Sequence, residues 1–113
     1  MVTHDNIRAQ MRKGILEYCV LALLRGGPAY GLEITEGLSG QGLLDSDGTL
    51  YALLSRLRKQ GWVETWWRES ASGPPRRYYA LSPDGAAALN TFVDLWVPFS
   101  QSVTRAISEE QAP

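Results

Sequence analysis

Residues equipped for catalysis are sparse in this sequence. His4 is the sole histidine and Cys19 the sole cysteine, the first near the start of the chain and the second inside the apolar run "YCVLALL". No serine, histidine and acid assemble into a nucleophilic triad pattern, and one cysteine with one histidine cannot supply a metal set. An intramolecular disulfide is impossible. Neither an enzyme, nor a metal site, nor a cofactor is expected. Another chemistry is better supplied. The stretch "DGTLYALLSRLRKQGW", residues 47–62, carries Thr49, Tyr51, Arg56, Arg58 and Lys59, hydroxyl and cationic donors of the kind that bond phosphate oxygens and base edges. Arg76 and Arg77 follow the tip "SGPP", and Arg12 and Lys13 form a third basic pair.

The elements that must hold these groups follow from periodicity. Leu50, Leu53, Leu54 and Leu57 recur at the offsets of an amphipathic helix, so they form one stripe and leave Thr49 and Tyr51 on the open side. Ahead of it, Ile7, Met11, Ile15, Cys19 and Ala22 or Leu23 repeat every three to four positions. This predicts one helix over about residues 7–24, stopped by "RGGP". A short second helix is expected over 29–38, where Tyr30, Ile34 and Leu38 lie four apart, followed by the loop "SGQG". Ser46 or Asp47 can cap the third helix, and Gly61 suits the left-handed residue that ends it. "WVETWW" and "RRYYAL" then read as a two-stranded ribbon with a Gly-Pro tip. Trp62, Trp66 and Trp67 are expected as an aromatic seam over the core. Alternation predicts that Arg76 and Arg77 point to different faces. Ser82, Pro83 and Asp84 form a helix start, and the stripe Ala86, Leu89, Phe92 or Val93, Trp96, Phe99 or Ser100, Val103 and Ile107 continues it for several turns. Pro98 interrupts that helix and is expected to kink it near residues 94–97.

These elements describe a mainly α protein with a small β-wing: a winged helix-turn-helix over residues 1–81, a C-terminal helix over 82–108 suited to dimerisation, and a tail, 109–113, expected to be disordered. In such a fold the third helix enters the major groove of double-stranded DNA and the ribbon tip reaches the adjacent backbone. The formal net charge is −1, but residues 48–79 carry six basic and two acidic side chains. That local field suits a polyanion; by charge alone, a solvated surface explains it as well. The longest apolar run is too short to span a bilayer, and the opening residues lack a secretory pattern, so no membrane association and a cytoplasmic location are expected. A winged-helix protein that binds small molecules or proteins without recognising an operator is the alternative reading.

At this level of detail the chain resembles the PadR family of bacterial transcriptional regulators. The resemblance rests on "RKGILEYCVLALLRGGPAYGLEI", "GTLYALLSRLRKQGWVE" and "SGPPRRYYALSPDG", taken in this order. "GTLY", "LxRL" and "RRYY" are specific in combination, and the short segment after the wing is similar to the short subfamily. The resemblance implies a homodimeric repressor on an inverted-repeat operator, released by a small molecule or by stress. It implies DNA contacts from Thr49 and Tyr51 and places Arg76 and Arg77 near the backbone; beside it, Tyr30 is read either as a phosphate contact or as a core or helix-turn packing residue, Arg56 as within reach of the backbone, and Arg12 and Lys13 as a further clamp. Asp45 and Asp47 put negative charge near this end and are read as caps. Leu89, Phe92, Val93, Trp96 and Val103 would join two subunits. Some short-subfamily members bind flat, often cationic, molecules between paired indoles; on that likeness Ile7, Met11, Trp96 and Ser100 would line a site for a planar aromatic or cationic effector.

Overall fold

A computed structural model describes residues 3–44 and 47–108. The elements are α1 (His4–Arg12), α2 (Leu16–Leu24), β1 (Ala29–Tyr30), α3 (Gly31–Ser39), α4 (Asp47–Lys59), β2 (Val63–Ser70), β3 (Gly73–Leu81) and α5 (Pro83–Ile107). They form a winged helix-turn-helix continued by one long helix.

The core gathers one face of each element. Leu16, Val20, Leu21 and Leu24 of α2, Ile34 and Leu38 of α3, and Leu50, Leu53, Leu54 and Leu57 of α4 meet Val63, Tyr79 and Leu89. The four α4 leucines are the buried stripe that their spacing predicts. Ser82 caps α5 by accepting from the Gly85 N–H at 3.0 Å, and its Oγ donates to the Gly61 carbonyl at 2.6 Å. One side chain thereby ties the helix start to the end of α4. Pro83 and Asp84 occupy the first turn, as expected.

The single helix predicted over 7–24 is two helices. Lys13 to Ile15 separate them, and Gly14 adopts φ +78°, a left-handed conformation that a Cβ disfavours and that no α-helix continues. The periodicity carried across this break because α1 has an apolar stripe of its own. None of the α1 residues is buried: Ile7 is exposed and Met11 is 67% exposed. The stripe is therefore not packed into the core of its own chain.

The ribbon is a three-stranded sheet of order β1-β3-β2. Ala29 pairs with Tyr79 and Tyr30 with Tyr78, so the residues expected to open the second helix form a strand instead. Tyr30 then caps α3, its backbone N–H donating to Glu33 Oε1 at 3.1 Å. The aromatic seam is corrected as well. Trp62 packs against the core, whereas Trp66 and Trp67 stand exposed on the wing.

α5 stays helical through Pro98. The missing proline N–H leaves the Asp94 carbonyl without its helical donor, and Asp94 is exposed, so water can satisfy it. Only the start of α5 lies on the core. The molecule measures 62 × 34 × 21 Å with a radius of gyration of 16.5 Å, above the roughly 13 Å of a compact chain this long. Among the described residues no helix is long and apolar enough to cross a membrane.

Candidate nucleic-acid interface

α4 buries its leucines and turns Thr49, Tyr51 and Arg56 outward. Two concavities flank it, and they divide the predicted contact residues between them. One, of about 450 Å³, is lined by Arg12, Lys13, Glu17, Thr49 and Arg56 among others. Arg56 is engaged there: its Nη2 donates to Glu17 Oε1 at 3.2 Å, clamping α4 to α2. The other, of about 410 Å³, is lined by Tyr30, Gly31, Leu32, Tyr51, Trp67, Arg76, Arg77 and Tyr79. The predicted contact residues thus fall into two groups on either side of α4: Thr49 and Arg56 with Arg12 and Lys13 at the end of α1, and Tyr51 with Tyr30 of β1 and Arg76 and Arg77 of the wing.

Gly31 shows why the second concavity has its shape. A Cβ built there would lie 2.9 Å from the Tyr51 hydroxyl oxygen and 3.1 Å from Cε1, so the Tyr51 ring rests directly on the first turn of α3. The glycine of "AYG" gives a recognition-helix side chain its seat.

Strand register fixes the arginines. Arg76 stands opposite Arg68, and Arg77 opposite Trp67. The Arg76 guanidinium lies over the Tyr30 ring at 4.5 Å and Arg68 over Tyr78 at 5.0 Å, so two like charges across the ladder each gain a ring face. Arg77 turns the other way, over Trp67 at 5.7 Å and Tyr79 at 5.9 Å, and its Nε donates to Thr65 Oγ1 at 2.9 Å. Sequence reasoning missed Trp67 as a member of this surface. The hairpin register, which puts it opposite Arg77, is the signal that finds it. The caps read into Ser46 and Asp45 lie outside the described residues, as does the side chain of Asp47, and so does the tail 109–113.

The residues carried over to a dimer and an effector site are less united. Leu89 is 2% exposed in the core of its own chain, so it is not available to a second subunit. Phe92 stacks on Tyr18 at 4.2 Å and on Trp96 at 5.6 Å. Val93, Trp96 and Val103 are exposed. A shallow hollow of about 310 Å³ is formed by Phe92, Leu95, Trp96 and Phe99. Ile7, Met11 and Ser100 do not line it, and the Ser100 hydroxyl donates to the Val97 carbonyl. Among the described residues no group of three His, Cys, Asp or Glu is placed to hold a metal ion.

A helix-turn-helix whose outer helix offers hydroxyls between two concavities lined with basic side chains is the build of a DNA-binding regulator. The model of the PadR-like family of transcriptional regulators matches residues 20–91, and the chain belongs to that family. It is similar to a PadR-like transcription factor from Bacteroides fragilis, 40% identical over 89% of this chain and 98% of that one, with a TM-score of 0.74. A PadR family regulator from Eggerthella lenta is 30% identical over 93% of this chain and 92% of that one, at a TM-score of 0.81. Bacillus subtilis PadR, solved in complex with operator DNA, shares the fold at 24% identity and a TM-score of 0.65, over 71% of this chain and 47% of that one. The family is one of DNA-binding regulators rather than enzymes.

Proposed function

We propose that this protein is a transcriptional repressor that binds an inverted-repeat operator as a homodimer, reading the major groove with the N-terminal half of α4. The observation that carries this is the division of α4 itself: four leucines locked in the core while Thr49 and Tyr51, the latter 54% exposed, each open onto a concavity lined by basic residues. Thr49 meets a phosphate or base edge and Tyr51 a phosphate. Arg76 and Arg77 of the wing take the flanking backbone, and Arg12 and Lys13 take it on the other side. That Bacillus subtilis PadR was solved on operator DNA supports the same use of the fold here.

The dimer reading is supported by the outer part of α5. Val93, Leu95, Trp96, Phe99, Val103 and Ile107 are all exposed, an apolar surface that a second copy would cover. Exposed Ile7 and Met11 of α1 add to it. A planar aromatic or cationic effector would stack on Trp96 and act by favouring an arrangement whose recognition helices no longer match the half-sites.

Genomic footprinting recovers the operator, and gel-shift titration of Thr49→Ala/Tyr51→Ala on it tests the assignment. Specific retention should be lost at unchanged dimer size; wild-type affinity in the variant rejects it. A monomer in sedimentation equilibrium, at concentrations that support operator binding, rejects the dimer. Calorimetry of planar cations against the native chain and Trp96→Ala tests the effector site, and equal affinity in both removes Trp96 from it.

A further inference from the structure

The concavity between α4 and the wing has one wall that no DNA-binding role yet explains. Trp67 is 65% exposed, a large indole face left in water on an edge strand of the sheet. Tyr51, Leu32, Arg76 and Arg77 line the same concavity, and of the two arginines it is Arg77 that shares the Trp67 face of the hairpin. The side chain of Arg77 is restrained twice. Its Nε donates to Thr65 Oγ1 at 2.9 Å, and Thr65 Oγ1 donates in turn to the Tyr78 carbonyl at 2.8 Å. Its guanidinium lies over the Trp67 ring. With Nε committed, the terminal nitrogens are the donors left over, and they have no acceptor among the described residues. An arginine held this way keeps a forked pair of donors ready for one phosphate and loses little rotamer freedom when it binds.

We propose that this concavity is a seat for a single sugar-phosphate strand of duplex DNA, in which Trp67 positions Arg77 for a phosphate and lays its indole against the adjoining deoxyribose. The inference rests on the DNA-binding reading above and adds the identity of the strand's ligands. The chemistry fits a backbone rather than a base edge. Cationic donors line the groove and aromatic faces flank it, and Arg77, tied back to the strand through Thr65, is held at the wing rather than on the helix that enters the groove. Removing the indole leaves Arg77 its Thr65 anchor but not its platform, so the effect of Trp67 should depend on Arg77 being present.

The 113-residue chain labelled with 5-fluorotryptophan gives four fluorine resonances, one for each tryptophan, and Trp67→Phe assigns the one of interest. Titration with a random-sequence duplex of about 24 base pairs at low salt, where phosphate contacts bind tightest, should shift the Trp67 resonance and leave that of Trp62 in place. In anisotropy titrations Trp67→Ala should weaken duplex binding about three- to fivefold, the size of one ring-supported cation contact, and Trp67→Phe should recover most of it. Arg77→Ala should lower the slope of log affinity against log salt by about 0.9, one phosphate. Adding Trp67→Ala to Arg77→Ala should then cost little more. An unmoved Trp67 resonance at saturating duplex, or full additivity of the two substitutions, overturns the proposal while leaving DNA binding intact. A native chain that fails to bind any duplex overturns the DNA reading itself. Because the resonance shift is read on the unmutated side chain, instability of the alanine variant does not remove the test.

Discussion

Gly31→Ala separates fold from function in a single methyl group. The added Cβ would stand 2.9 Å from the Tyr51 hydroxyl oxygen and 3.1 Å from its Cε1, closer than ordinary contact, so the ring has to shift off its seat. The atoms in conflict are the outer end of a side chain that is already half in water, and moving it strains no backbone. Alanine in place of glycine at the first position of α3 contributes about 0.4–1 kcal/mol in the stabilising direction by restricting the unfolded chain, which offsets the packing that Tyr51 gives up against α3. Net stability should therefore stay within about 0.5 kcal/mol of the parent, the ordinary range for a surface change. Binding should not be spared. If the seat on Gly31 holds Tyr51 for a phosphate, its displacement forfeits one hydrogen bond of about 0.5–1.5 kcal/mol, or roughly two- to tenfold in affinity. Thermal unfolding and anisotropy with a labelled duplex measure the two quantities on one preparation. Tyr51→Ala alone and combined with Gly31→Ala completes the cycle, and the pair should be no worse than Tyr51→Ala by itself. Parental affinity in Gly31→Ala, or a further loss in the double variant, would refute the seat.

Leu54→Ala, at a fully buried position of α4, should destabilise the domain by about 2–5 kcal/mol, read as a lower urea midpoint with the slope retained. Glu17→Gln releases Arg56 from its ion pair. Because Arg56 is more than half exposed, stability should fall by less than about 1 kcal/mol, and the loss should shrink further in high salt. Burial pushes the Cys19 thiol above its ordinary range, so the folded state holds the proton longer than the unfolded chain does. That contribution is whole below the ordinary thiol pKa and is lost as pH rises through the raised one. Urea unfolding at neutral and alkaline pH should therefore show a steeper alkaline decline in the native chain than in Cys19→Ala.

What the sequence disclosed and what it withheld divide along physical lines. The α4 leucines, the Ser82 cap and the stop at Gly61 are local signals, set by spacing within a turn or two, and each appears where its residues place it. The break at Gly14 was hidden because the stripe before it and the stripe after it keep the same period while facing different surroundings. β1 was hidden because two residues have no alternation to read, and their partners lie some fifty positions away. Leu89 was assigned outward because a single stripe along α5 serves two purposes, its first turns facing the core and the rest facing away. Trp67 was drawn inward by hydrophobicity alone. Only the pairing across the hairpin reveals that its neighbours are cations and water. The division of the contact residues between two concavities depends on how three separate elements pack, and no local pattern encodes it.

The stacked rings on α5 do not end at Phe92. Tyr18, which Phe92 covers, also approaches Trp62 at 5.9 Å and 43°, and Trp62 immediately precedes the first strand of the wing. Trp96, Phe92, Tyr18 and Trp62 thus form one file of aromatic rings running from the exposed helix to the root of the sheet. Close-packed rings do not yield by small continuous amounts, so a push at the outer indole is either absorbed by a ring flipping to another rotamer or felt at the far end. Both ends of the file are tryptophans, one exposed and one half-buried. With Trp66 and Trp67, which stand exposed on the wing, replaced by phenylalanine, the molecule carries its own optical strain gauge: the redder emission of Trp96 follows events on the helix, and the bluer emission of Trp62 records whether they arrive at the wing.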